Sequence, residues 1–361
     1  MLIYITADQV AEENSGMGRY AKSVVLRLVP ILIENGWRVR VIVSARAVTF
    51  QQEVCDAGAE IIPLTYDSKI LRRIQYYLSL IRRKNEGASV VYSTDHNRPL
   101  LPVGMKSVIT IHDLCGFECR GEYSWLKKVF KKYVVSHFGR KAEKVITISR
   151  QAERQILRVF RLPEERVSLV YNGFDKFSKP EQKPILEKKY FIFVGRISPR
   201  KNFTLILKAL NRLREIRDDF ELIVVGPEGW SNAKDFAYIS ENGLDKFIRF
   251  SGFVDDVCLA SLYSGASALL FPSYCEGFGL PVLEALSMST PVLVARDSAC
   301  EEIAGGLAHG VQADDVSNCL RFMESALDGQ VPVQRDHADQ HLSQFSWDRC
   351  AREVLATIEN L

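Results

Sequence analysis

Phe271-Pro-Ser-Tyr-Cys-Glu-Gly-Phe-Gly-Leu-Pro-Val-Leu-Glu284 is the stretch around which this chain is organised. The apolar run Ala268 to Phe271 predicts a buried strand ended by Pro272, and Pro281 stands where the first position of a helix tolerates a missing N–H. Strand, tight glycine loop and helix start follow one another. Gly277 and Gly279 let the backbone approach a ligand closely, and the unpaired N–H groups at the helix start favour an anion such as a phosphate. Glu276 falls in the loop. Glu284 is placed on the first helical turn, where side chains lean back towards the N-terminus, so both carboxylates can face one pocket. A phosphate nest beside two carboxylates suits a ligand with both phosphate charge and hydroxyls, as a nucleotide-sugar has. An ordinary βα turn with a capping glutamate would show the same local pattern.

Upstream of this stretch, Tyr190 to Val194 reads as a strand that runs into Gly195-Arg-Ile-Ser-Pro-Arg-Lys201 and a helix over Asn202 to Arg217. Arg196 and Lys201 can lie on one side of that loop, where two cations would neutralise a pyrophosphate. Glu221 to Val225 is the next strand and ends in Gly226-Pro227, a third glycine turn at the same rim. Ile248 to Val254 and Pro291 to Ala295 are further strands, and Leu259 to Tyr263 begins a helix. Ser346 is placed to cap a final helix over Asp348 to Glu359. Asp218-Asp219 and Asp255-Asp256 read as solvated turns or a cap rather than a metal site.

The first half repeats the alternation. Leu2 to Thr6, Arg38 to Val43, Glu60 to Pro63, Ser89 to Tyr92, Ser107 to Ile111, Val145 to Ile148 and Arg166 to Val170 are strand-like runs separated by helical or loop material, which predicts a parallel sheet covered on both faces. Gly16-Met-Gly-Arg-Tyr20 opens the first helix. It lacks the third glycine of a dinucleotide fingerprint, so a nicotinamide cofactor is not expected. His112-Asp113 follows the strand ending at Ile111, at the strand edge where open α/β sheets bind ligands. His112 is either a functional imidazole there or a structural histidine hydrogen-bonded near the strand end.

With 361 residues the chain exceeds the size at which one core usually stops growing. The expected division is residues 1–175, a linker at 176–189 rich in Lys, Pro, Glu and Gln, and a second domain at 190–345. The net charge of +3 hides an asymmetry, because residues 1–175 hold 27 basic against 18 acidic side chains and the remainder 20 against 26. The basic half should meet an acidic partner. Residues 123–141 place apolar and aromatic side chains at helical spacing with Lys127, Lys128, Lys131 and Lys132 on the other side. Arg72-Arg73, Tyr76-Tyr77 and Arg82-Arg83-Lys84 add a second basic, aromatic segment. Both suit an anionic membrane surface, although an apolar stripe can serve the domain core instead. Nucleic acid is not an expected partner. The apolar run Val24 to Ile33 is too short to span a bilayer and is broken by Arg27, and Met1 to Ile5, with no basic flank or small-residue cleavage site before Asp8, does not read as a signal peptide. Eight scattered cysteines predict reduced thiols.

Taken together, Gly16-Met-Gly-Arg-Tyr20, Ile111-His-Asp113, Val145-Ile-Thr-Ile-Ser149, Val170-Tyr-Asn-Gly173, Phe193-Val-Gly-Arg-Ile-Ser-Pro-Arg-Lys-Asn202 and Glu276-Gly-Phe-Gly-Leu-Pro-Val-Leu-Glu284 resemble the retaining family 4 glycosyltransferases. The resemblance runs along nearly the whole chain. It implies a GT-B fold, α/β, with two Rossmann-like parallel-sheet domains facing a central cleft and residues 346–361 packing back on the first. It implies catalytic roles for Arg196 and Lys201 on the donor diphosphate, Glu276 on the transferred sugar and His112 on the donor sugar. Substrate binding would fall to Gly16, Gly18, Asp113, Gly277, Phe278, Gly279, Leu280 and, at the ribose, Glu284. No metal and no cofactor are expected besides the nucleotide-sugar donor, which is a co-substrate. The form of the motifs is similar to bacterial mannosyltransferases that use GDP-mannose in surface polysaccharide assembly; UDP-glucose, UDP-N-acetylglucosamine and GDP-rhamnose enzymes share the core motifs. The implied acceptor is a lipid-linked or free oligosaccharide, and the implied location is cytoplasmic, peripheral to the inner face of the plasma membrane. Two departures stand out: Ser287-Met-Ser-Thr290 replaces the commoner alanine-cysteine-glycine turn, and Ala299-Cys-Glu-Glu-Ile-Ala304 replaces a proline-glutamate pair. A non-catalytic nucleotide-sugar-binding subunit is the alternative reading.

Overall fold

The computed structural model describes residues 1–361 apart from 12–14, 84–85, 87–88, 97–104, 119–128, 130–132, 134, 138, 179, 181–186, 228–232 and 334. Two compact units result. The first comprises Met1–Phe117, Trp125–Gly173 and Phe345–Leu361, and the second Glu118–Ser124 and Phe174–Gln344.

The first unit is built on seven strands: β1 Leu2–Thr6, β2 Arg38–Ser44, β3 Glu60–Leu64, β4 Ser89–Ser93, β5 Lys106–Ile111, β6 Lys144–Thr147 and β7 Val167–Leu169. They are hydrogen-bonded in the order β3-β2-β1-β4-β5-β6-β7, all parallel. β1 is buried along its whole length, as a strand covered on both faces must be. Among the helices of this unit are α1 Gly16–Glu34, α2 Val48–Asp56, α3 Lys69–Ile81, α4 Cys115–Glu118 and α5 Arg150–Phe160. Ser15 caps α1 by accepting from the Gly18 N–H at 2.9 Å, and Ser149 caps α5 by accepting from Ala152 N at 3.2 Å.

Six strands form the second unit: β8 Lys189–Val194, β9 Phe220–Val225, β10 Ile248–Gly252, β11 Ala268–Phe271, β12 Val292–Ala295 and β13 His309–Val311. Their order is β10-β9-β8-β11-β12-β13, again parallel. The helices are α6 Phe203–Leu213, α7 Ala233–Glu241, α8 Asp256–Gly265, α9 Leu280–Ser287, α10 Ala299–Ala304, α11 Val316–Leu327 and α12 Arg335–Leu342. Phe191, Phe193, Phe203, Leu210, Phe220 and Met323 lie in its main core cluster. Each such side chain contributes roughly 1.5–3 kcal/mol by leaving water.

The last helix, α13 Trp347–Glu359, belongs to the first unit. Ser346 caps it, accepting from Arg349 N at 3.1 Å. Arg27 Nε donates to Asp348 at 2.9 Å and Asn35 to Glu359 at 3.2 Å, tying α13 to α1. These exposed contacts add little. The buried face of Trp347, Val354, Leu355 and Ile358 supplies the attachment.

Several local expectations shift. The helix expected over Asn202 to Arg217 is α6, shorter at both ends, because a 3-10 turn at Pro199–Lys201 precedes it and Asn202 takes φ 54°, a left-handed conformation asparagine tolerates. β10 stops at Gly252, whose φ of +69° and register shift end the pairing. Cys115 and Cys275 are each disulfide-bonded rather than free, whereas Cys55, Cys258, Cys300, Cys319 and Cys350 are free thiols. The lysine-rich segment 123–141 lies mostly outside the described residues, including Lys127, Lys128, Lys131 and Lys132, as does half of the expected linker. Among the described residues no helix is long and apolar enough to cross a membrane.

Candidate functional site

Strands β8 and β11 are neighbours at the point where strand order in the second sheet reverses. Loops leaving the carboxyl ends of two such strands diverge and leave a crevice that binds ligands in open α/β sheets. The loop after β8 carries Gly195 to Lys201, and the loop after β11 carries Pro272 to Gly279. Three hydrogen bonds staple them. Tyr274 N donates to Arg200 O at 2.9 Å, the Tyr274 hydroxyl to Asn202 Oδ1 at 2.8 Å, and Arg200 Nη1 to Cys275 O at 3.1 Å.

This stapling brings one carboxylate against two cations. Glu276 Oε1 lies 2.7 Å from Lys201 Nζ and 2.7 Å from Arg200 Nη1. Lys201 is buried, and its ammonium sits 4.0 Å from the centroid of the Phe271 ring, a cation–π contact. Burial by itself would raise the Glu276 pKa, but the charges of Lys201 and Arg200 outweigh it and hold the carboxyl down at about 2. Burial pulls the Lys201 pKa below its ordinary value against the opposing pull of Glu276. Removing both ions from water is costly, and their mutual attraction offsets that only in such close geometry.

Glycines shape the floor. Gly195 has φ +122°, and a Cβ there would come within 3.4 Å of Lys201 Nζ. A Cβ on Gly226, in the turn after β9, would meet Gly195 O at 2.6 Å, so the two turns touch through bare backbone.

Helix α9 then begins at Leu280, directly after the loop. Gly279 precedes it with φ +107°, and a Cβ would meet Cys300 Sγ at 2.9 Å. Pro281 occupies an opening position of the helix, as its missing N–H allows. Gly277 and Phe278 are buried beside them. Glu284 is the fifth helical residue, not a first-turn one; it is buried, and the Tyr263 hydroxyl donates to its Oε2 at 3.1 Å. Burial, with Glu276 nearby, pushes the Cys300 thiol up. The loop and the start of α9 thus hold a helix N-terminus, a buried ammonium and two carboxylates, the first two suited chemically to an anion and the last two to hydroxyl donors.

Arg196 stands apart. Its side chain is exposed and makes no hydrogen bond or ion pair among the described residues, so the pair that the loop brings together is Lys201 with Arg200. The 3-10 turn and left-handed Asn202 decide this, by turning Arg200 and Lys201 back towards β11.

In the first unit, His112 follows β5 and is buried. Its Nε2 donates to Thr94 O at 2.9 Å, and its ring meets that of Tyr20 edge-on at 4.7 Å. Burial lowers its pKa, which favours the neutral ring with Nδ1 as acceptor. Asp113 accepts from Cys115 N at 2.9 Å and so shapes the turn into α4. Gly16 and Gly18 lie in the first turn of α1; no atom beyond its own turn lies within 4 Å of a Cβ on Gly16.

Sequence reading missed Arg200, Tyr263 and Cys300 as neighbours of the two carboxylates and Phe271 as the ring against Lys201. Arg200 carried a signal, being one of three basic residues in the loop after β8. The others are apolar or neutral residues on separate elements.

Two parallel-sheet units, with a glycine turn, a buried ammonium and two carboxylates at the switch point of the second, define the GT-B class of sugar-transferring enzymes. The chain belongs to the glycosyltransferases: residues 16–176 match the model of Glycosyltransferase Family 4 and residues 175–318 that of Glycosyl transferases group 1. It is 27% identical over 270 residues to O-antigen chain mannosyltransferase B of Escherichia coli, covering 69% of each chain. It is 27% identical over 281 residues to O-antigen chain mannosyltransferase RfbU of Salmonella typhimurium, covering 77% of this chain and 76% of the relative. Its fold is shared with Anabaena Alr3699/HepE, solved in complex with UDP and glucose, at TM-score 0.74 and 16% identity over 100% of both chains.

Proposed function

We propose that this glycosyltransferase moves mannose from GDP-mannose, with retention of anomeric configuration, to a lipid-linked or oligosaccharide acceptor in O-antigen or capsule assembly. The observation that carries the site assignment is the ion cluster of Glu276, Lys201 and Arg200 beside the N-terminus of α9. The names of its O-antigen relatives support mannose as the sugar. UDP-glucose, UDP-N-acetylglucosamine and GDP-rhamnose are the competing donors.

In this reading the donor diphosphate takes Lys201, the α9 N–H groups and, once the loop after β8 closes on it, Arg196. Glu276 accepts from sugar hydroxyls and Glu284 from the ribose. The acceptor oxygen bonds to the anomeric carbon as the bond to the diphosphate breaks. Its proton passes to the departing phosphate oxygen on the same face, which accounts for retention. Charge stabilisation of the leaving group is the main protein contribution, a class of effect worth about 10²–10³ per donor group. His112, Asp113, Gly16 and Gly18 keep the donor-sugar and acceptor roles that the resemblance implies. Transfer is metal-independent, so activity persists in a chelator. With a lipid-linked acceptor the enzyme would work peripherally at the cytoplasmic face of the membrane.

The test is release of GDP from GDP-mannose with and without acceptor. Lys201→Ala and Glu276→Ala should each lower turnover about a hundredfold or more, with folding checked by thermal melting. Full activity in both variants would remove the site assignment. Absence of turnover with every donor, in a protein that still binds one, would favour the non-catalytic subunit.

A further inference from the structure

Helix α3, Lys69–Ile81, is apolar on two sides, and only one of them is covered. Tyr76 and Leu80 are fully buried in the core cluster with Leu2, Tyr4, Ile42 and Val91. At 100° per residue, Ile70, Ile74 and Leu78 form a second ridge with Leu71 beside it, and these four are 69%, 50%, 42% and 45% exposed. Tyr66, just before the helix, is 51% exposed. Isolated exposed apolar residues are unremarkable, but a contiguous aliphatic ridge on one helix marks an interaction surface.

Charge around the ridge identifies the occupant. Arg73 borders it on one edge and Arg82 on the other; both are exposed and make no ion pair among the described residues. The remaining arginines of the segment are engaged inward. Arg72 pairs with Asp8 at 3.4 Å, and Arg83 donates to Ser79 O at 3.1 Å and lies 4.0 Å from Glu86. An aliphatic stripe edged by arginines, with a tyrosine at one end, is the pattern of a helix lying in a bilayer interface, where apolar side chains enter the acyl boundary and guanidinium groups meet phosphates. Two arginines with no ion pair among the described residues, flanking aliphatic side chains, match lipid phosphates lying above an acyl layer.

We infer that α3 docks this glycosyltransferase on an anionic bilayer by inserting Ile70, Leu71, Ile74 and Leu78, with Arg73 and Arg82 on lipid phosphates. The inference rests on the peripheral-membrane part of the proposed function and changes its physics. Attachment comes from insertion more than from charge alone, since Arg72 and Arg83 of this segment are already committed to intramolecular partners. Attraction to headgroups is screened by salt, and insertion of aliphatic side chains is not.

Vesicle co-sedimentation of the full chain tests it. Wild-type protein should partition onto phosphatidylglycerol/phosphatidylethanolamine vesicles and keep a substantial bound fraction at about 0.5 M salt. The double variant Ile74→Glu/Leu78→Glu should lose roughly tenfold or more of that partition, while GDP release from GDP-mannose stays at the wild-type rate. Arg73→Glu/Arg82→Glu should weaken binding at low salt and leave the salt-resistant fraction. Ile74→Trp provides a signal that does not depend on loss: its fluorescence should shift to the blue on vesicles and be quenched by lipids brominated in the acyl chain. Unchanged binding of the Ile74→Glu/Leu78→Glu protein, complete release by salt, or fluorescence of the Ile74→Trp protein that is indifferent to brominated lipid would overturn the inference. So would a wild-type dimer in solution that the double glutamate variant disperses, since the ridge would then cover a second copy. Each readout is physical partition, so it stands or falls separately from catalysis.

Discussion

At the scale of single residues, Glu276 decides most of what the site can do. One oxygen receives both Lys201 and Arg200 at 2.7 Å, and the carboxyl is held at about 2 against a burial effect that would raise it. In the proposed reading a donor diphosphate competes with Glu276 for Lys201, and Arg200, anchored on Cys275 O, is the cation left to keep Glu276 charged. Arg200→Ala should therefore raise the acid limb of kcat/KM by about one pH unit or more, and Arg200→Lys should restore part of it. A merely structural Arg200 would lower the melting temperature and leave that limb in place. The folded pKa of Glu276 lies below its ordinary 4.5, so its contribution to stability is complete above pH 4.5 and is lost as pH falls towards 2. Acid melts should show a larger drop across that window for the wild type than for Glu276→Gln. His112 acts with the same sign in another window. Burial lowers its pKa from 6.5, so protonation favours the unfolded chain and stability declines as pH falls below 6.5.

At the scale of elements, the start of α9 and the cap of α13 give separable predictions. Gly279 combines φ +107° with a Cys300 Sγ 2.9 Å from where a Cβ would lie. Gly279→Ala should cost about 1–3 kcal/mol from backbone strain alone and weaken donor binding, measured by denaturant melts and by titration with GDP-mannose. Ser346→Ala should cost about 1 kcal/mol through the lost cap, read by denaturant melts, without touching donor affinity. Helix α3 shows what pattern reading does at this scale. The sequence places Arg72, Arg73, Tyr76 and Tyr77 in one basic, aromatic segment, yet the helix phase sends Tyr76 into the core and Arg72 to Asp8. Its exposed ridge is aliphatic because the sheet beneath covers only one of its two apolar sides.

At the scale of the molecule, the chain leaves the first unit at Gly173 and returns to it at Phe345. Gly173 is where the two passages touch: a Cβ there would stand 2.2 Å from Trp347 N. Deleting 345–361 should strip the cover from α1 and leave protein that is insoluble or melts well below the full chain, since Trp347, Val354, Leu355 and Ile358 each contribute roughly 1.5–3 kcal/mol by burial. A donor that binds only the native state should raise the melting temperature. The largest rise with GDP-mannose, over UDP-glucose and UDP-N-acetylglucosamine, is the expected order.

The strands were legible in the sequence because buried parallel strands are short apolar runs punctuated by glycine and proline, and β1, β8, β11 and β12 fall within a residue or two of where those runs predict them. The acidic loop and its glycines were legible for the same local reason. What only the tertiary structure decided is which side chains meet across separate strands. Lys201 pairs with Arg200 as its fellow cation, instead of Arg196, because left-handed Asn202 and the contact with Tyr274 turn the loop towards β11. Glu284 meets Tyr263 because α8 and α9 pack together. Local sequence specifies backbone conformation, but neighbours far apart in the chain depend on strand order, and on which face of each helix the sheet covers.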